Sequence, residues 1–172
     1  MYLVFTGRFA WLSFLIGLFT RSVFPRLAWS LPLWCSHMAV EGVLGQVCSK
    51  IEADAKTGKV TLGPARHYPG AYGWRVNLGP LYSADGLRRA WSRSKECLGL
   101  PYDDLGILWY VFRSKRLNRH DSLYCFEVIE RAFPELAGGK HPSRVTARHF
   151  WKGLKRLAKE RGVKFADLVE FF

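Results

Sequence analysis

Apolar and polar residues alternate in short runs along the first half of the chain and recur at helical spacing along the second. Tyr2-Leu3-Val4-Phe5 reads as a strand and Thr6-Gly7 as the turn that ends it. Phe9 to Thr20 follows, a 12-residue apolar run between Arg8 and Arg21. It is short of the ~20 residues that span a bilayer, so it predicts a buried or membrane-surface helix. Pro25 and Pro32 bracket an irregular aromatic stretch. Ser36 to Glu41 and Val47 to Ala53 then read as paired strands joined by Gly42-Val43-Leu44-Gly45-Gln46. Lys56-Thr57-Gly58-Lys59 turns the chain into a third strand at Val60 to Leu62, which Gly63-Pro64 ends, and Trp74 to Leu78 suits a fourth.

Helices dominate from there. Ser83 or Asp85 caps one that runs to about Leu98, and Asp121 or Ser122 caps another that Pro134 terminates. From about Thr146 to Arg161, Phe150, Leu154, Leu157 and Ala158 recur at helical spacing with Lys and Arg between them, and Gly162 supplies the stop. Strands first and capped helices later predict an α+β fold. The 172 residues suit one domain, 1–172, carrying a basic C-terminal helical segment at about 143–172.

Charge narrows the choice of partner. The 26 Lys and Arg outnumber 14 Asp and Glu, giving a net +12 that is concentrated late in the chain. Such a surface attracts polyanions: nucleic acid, anionic lipid, teichoic-type wall polymers or an acidic protein. The 4 cysteines are widely scattered in a chain too long to need disulfide staples. Cys35-x-His37 lacks the spacing of a zinc ligand pair, and neither a metal nor another cofactor is implied. Without a recognised signal peptide, cytoplasmic retention is the default expectation.

Cys125 is the candidate nucleophile. With Ser122 as cap it falls in the first turn of its helix, where free N–H groups and the helix dipole favour a thiolate. Most single cysteines are merely small buried apolar residues, so the assignment needs a base. His37 stands in a strand, whereas His67, His120, His141 and His149 lie in polar or basic surroundings; His120, near Cys125 in sequence, is the alternative. If Gly42 pairs with Val47, His37 lies directly opposite Glu52, which then orients the imidazole. A slip of one residue destroys that arrangement. Glu127, in the first turn after Cys125, complements the helix dipole and is not assigned a catalytic role. Trp29, Trp34 and Tyr68 flank the proposed site and are candidates to line a cleft.

Four blocks carry a resemblance: Trp34-Cys35-Ser36-His37-Met38-Ala39-Val40, Ile51-Glu52-Ala53, Leu98-Gly99-Leu100-Pro101-Tyr102-Asp103 and Leu123-Tyr124-Cys125-Phe126-Glu127-Val128-Ile129. In order and spacing they resemble the circularly permuted papain-like hydrolases of the YiiX/YaeF type, related to NlpC-type cell-wall peptidases. The resemblance spans residues 34 to 129. It implies a small antiparallel sheet packed against helices, Cys125 as nucleophile, His37 as general base and acid, Glu52 as the third polar residue, and Tyr102 as a substrate-binding or oxyanion residue. Phe126 replaces the serine usual after the nucleophile, and the basic segment from Ser143 onward has no counterpart.

The expected activity is that of a cysteine hydrolase, an amidase or peptidase acting through an acyl-enzyme on peptidoglycan stem peptides or similar small amides. Two alternatives stand beside it. One is a lipid acyltransferase or thioesterase on the same fold, with the apolar Phe9 to Phe19 stretch at a membrane surface. The other is a degenerate basic interaction module that binds nucleic acid or another polyanion. Peptide, amide or lipid-ester substrates, an anionic polymer or membrane surface, and a phage or cell-envelope setting follow as expectations.

Overall fold

The computed structural model describes residues 1–7, 35–44, 47–66, 68–103, 122–139 and 145–172. The helix expected over Phe9 to Thr20, and Trp29, Trp34, His67, His120, Asp121 and His141, lie outside the described residues. In chain order the elements are β1 (Tyr2–Gly7), β2 (His37–Leu44), β3 (Val47–Asp54), β4 (Lys59–Pro64), β5 (Tyr72–Asn77), α1 (Ala84–Glu96), α2 (Cys125–Ala132), α3 (Ala147–Glu160) and β6 (Val169–Phe171). The strands form one 6-stranded sheet in the order β4-β3-β2-β1-β5-β6, antiparallel at every pairing. The fold is α+β.

Alternation divides the sheet into two faces. Leu3, Phe5, Met38, Val40, Ile51, Ala53, Trp74 and Val76 share the apolar face and are all buried. Helices cover this face. Trp151 of α3 meets Phe5 edge-on at 5.3 Å and Trp74 at 6.2 Å. Trp91 of α1 lies over Gly42, so close that a Cβ there would sit 2.9 Å from the indole, which accounts for a glycine inside a strand. Burying a Phe side chain contributes ~1.5–3 kcal/mol, and Phe5, Phe133 and Phe150 are almost fully enclosed. The other face carries Thr6, His37, Glu41, Lys50, Glu52 and Arg75.

Local signals hold at the helix ends. Ser83 caps α1 by accepting from Gly86 N–H at 3.1 Å, and Gly162 takes φ +67° just past α3. His149 is a capping residue: its Nδ1 accepts from the Thr146 N–H at 3.2 Å.

Three expectations are corrected. Thr6-Gly7 is not a turn; Thr6 pairs with both His37 and Gly73, and Gly7 pairs with Tyr72, so ladder bonds on two sides override glycine's turn preference. Gly42, Val43 and Leu44 belong to β2 rather than to a connecting loop, and Leu44 pairs with Val47. β6 was not expected at all, because three residues, Val169-Glu170-Phe171, are too few to show a period; pairing with Trp74, Arg75 and Val76 creates the strand.

Candidate active site

Cys125 is the first residue of α2, a tighter placement than the Ser122 cap predicted. The reason lies in a neighbouring segment. Leu123 N–H donates to Pro101 at 2.8 Å and Asp103 N–H donates to Leu123 at 3.1 Å, holding the chain extended through Tyr124. The helix starts where that ladder stops. Glu127 closes the end by accepting from Tyr124 N–H at 3.2 Å. Cys125 is buried, at 4% exposure, at the positive end of the helix.

His37 opens β2 beside it. Ser36 N–H donates to Thr6 at 3.0 Å and the Cys35 thiol donates to the His37 carbonyl at 3.3 Å, so the backbone on which the imidazole stands is tied from both sides. Nε2 lies 2.8 Å from Glu52 Oε2, and the Cys125 thiol is close enough to act on the charge of the ring. Burial works against a charged imidazole here. The hydrogen bonds to Cys125 and Glu52, reinforced by their charges, outweigh it and push the His37 pKa up to about 10. Glu52 is the mirror case: burial opposes its charge, but His37 and then Lys50 hold its carboxyl below the ordinary range.

The register that joins them differs from the expected one. Val40 pairs with Ile51 and Glu41 with Lys50, which puts Ala39, not His37, opposite Glu52. The hairpin is two residues tighter than expected. A shift of two keeps every side chain on its face, so Glu52 remains beside His37 as a diagonal neighbour within reach of a long side chain.

Tyr102 is brought close by a parallel bridge to Leu123, two positions before Cys125, and its N–H donates to Gly58 at 2.8 Å. Tyr68 approaches from the polar face, its ring 4.2 Å from Lys50 Nζ and 5.5 Å from the Phe172 ring. Glu127 is not the charged dipole partner expected of it, because the fold favours its neutral acid. Burial, with the charge of Asp103 added and only Arg131 opposing, pushes its pKa up to about 8.

Lys50 was missed by sequence reasoning, although its signal was present: it sits two residues before Glu52 in a strand and so shares its face. Its Nζ pairs with Glu52 Oε1. Among the described residues all four cysteines are free thiols, no cluster of ligands for a metal occurs, and no helix is long and apolar enough to cross a membrane. The chain matches no protein-family model and no curated protein.

Proposed function

We propose that the protein is a cysteine hydrolase of amides or related acyl compounds, with its site arranged as in the permuted papain-like enzymes. One observation carries this reading: a thiol at the first residue of a helix lies by an imidazole whose Nε2 is held by a carboxylate, and both groups favour the charged ring. Cys125 attacks the substrate carbonyl as the thiolate, forming the C–S bond, and N–H groups at the start of α2 receive the developing oxyanion. Protonated His37 gives its proton to the leaving amine as the C–N bond breaks. It then takes a proton from water, whose oxygen displaces the thiol and releases the acid. Tyr102, bridged to Leu123 just before Cys125, is the candidate to assist the oxyanion. Stem peptides of peptidoglycan and other small amides are the substrate class.

The test is the pH dependence of iodoacetamide labelling at each cysteine, in wild type and His37→Ala. Labelling of Cys125 well below the ~8.5 of a free thiol, lost in the variant, supports the reading. Cys125 that reacts like the other cysteines, or identically in both proteins, overturns it.

A second feature favours an anionic lipid surface as partner, in keeping with an acyltransferase or thioesterase variant of the same chemistry. Arg148, Lys152, Lys155 and Lys159 are exposed at successive turns of one side of α3. Phe171 is a large apolar side chain left 62% exposed, and it packs on Trp74, which in turn meets Trp151 of the same helix. Cosedimentation with phosphatidylcholine vesicles, with and without phosphatidylserine, tests this. Binding only to the anionic vesicles supports it; salt-sensitive binding to nucleic acid alone replaces it with a nucleic-acid surface.

A further inference from the structure

We propose that Lys50 is a positioning residue that tunes His37 through Glu52, holding the carboxylate oxygen that the imidazole leaves unused. The inference rests on the hydrolase reading and adds a further residue to its site. Lys50 is only 7% exposed, and a buried ammonium is costly unless a partner and hydrogen bonds compensate it. Glu52 is that partner, two residues along the same face of β3.

The surroundings favour this pairing. Glu41 lies directly across from Lys50 on β2, but it is engaged elsewhere: Arg75 binds it through Nε at 2.8 Å and a second nitrogen at 2.6 Å, and the Arg66 N–H donates to it at 2.7 Å. Arg75 also reaches Glu170 at 3.2 Å. Tyr68 covers Lys50 with its ring, and burial together with the charges of Glu41 and Glu52 pushes its phenol far up, so it stays neutral beside them. The charged groups around Glu52 are therefore Lys50 and His37 in direct contact, Cys125 acting on the same imidazole, and the Glu41–Arg75 pair next to Lys50 across the β2–β3 ladder.

The consequence concerns proton transfer. A carboxylate facing His37 alone would place its whole charge on the imidazolium, which would then release its proton reluctantly to a leaving group. Lys50 divides that charge between two cations and stops the carboxylate from rotating. Only a salt bridge too remote from the ring to act on Glu52 would leave the titration of His37 untouched.

The experiment uses the full chain with Lys50→Met, Lys50→Gln and Lys50→Arg. His37 is titrated by NMR of its ring protons, assigned with His37→Ala, and Cys125 alkylation by iodoacetamide is followed against pH. Both neutral variants are expected to move the His37 titration upward by ~0.5–1 pH unit, whereas Lys50→Arg stays with wild type. Lys50→Gln decides the matter if Lys50→Met does not fold. An unchanged or lowered His37 titration in the neutral variants overturns the role of Lys50. Cys125 alkylation indifferent to His37→Ala overturns the hydrolase reading instead, and the NMR titration separates the two failures because it needs no catalysis.

Discussion

Glu52 stands opposite Ala39 on the neighbouring strand, yet its Oε2 lies 2.8 Å from Nε2 of His37, two residues before Ala39 on β2. The bond runs diagonally, and diagonal neighbours are ~7–8 Å apart at the backbone, a distance that demands a long side chain. Glu52→Asp keeps the charge and loses a methylene. Asp is expected to fall short of the ring, slowing Cys125 alkylation at neutral pH at least ~10-fold, close to the effect of Glu52→Gln. Wild-type alkylation by Glu52→Asp would mean that the pair does not depend on this diagonal reach.

The His37–Glu52 pair also makes stability depend on pH. His37 has its pKa raised from 6.5 to about 10, so its contribution is fully present below 6.5 and is lost as pH rises through about 10. Glu52 is lowered from 4.5, so its contribution is present above 4.5 and is lost as pH falls below that value. The advantage of wild type over His37→Gln is thus greatest between these limits. It should shrink by up to ~1.4 kcal/mol per pH unit on the alkaline side. Thermal melts of both proteins from pH 4 to 10, at about one-unit steps, measure the difference; a constant gap contradicts the assignment.

Glu127 predicts the opposite benefit from losing a charge. Its pKa is raised from 4.5 to about 8, so the folded protein prefers the neutral acid and loses stability as pH rises through that window. Glu127→Gln keeps an oxygen to accept from Tyr124 N–H and cannot ionise. The variant should match wild type in mild acid and melt several degrees higher above pH ~8. A melting difference that does not vary with pH would rule out ionisation of Glu127 as the cause.

Gly153 sits in α3 against the 3-10 turn Pro134–Ala137. A Cβ there would lie 2.6 Å from the Leu136 carbonyl oxygen and 2.9 Å from its Cα, backbone atoms with no freedom to withdraw. In an open helix Gly→Ala gains ~1 kcal/mol, but here overpacking reverses the sign. Gly153→Ala should cost ~1–3 kcal/mol and lower the melting temperature by ~2–10 °C. A stabilised variant would show that α3 and the turn do not pack this closely.

Local chemistry settled much of this protein from the chain alone. Alternation placed four of the six strands and the first one's start, and Ser83, Pro134 and Gly162 marked helix ends through capping and backbone geometry, which act within a few residues. Period-2 parity also put His37 and Glu52 on one face, and parity survives a slip of two. Tertiary structure decided the rest because its causes lie far apart in sequence. The Leu44–Val47 pairing set the true register, and the Pro101–Asp103 segment delayed α2 until Cys125 became its first residue. Trp74, Arg75 and Val76 called β6 into existence. Burial, which no window of sequence reports, raised Glu127, opposed the charge on His37 that its neighbours Cys125 and Glu52 nevertheless favour, and made Lys50 a partner for Glu52 instead of a solvated charge.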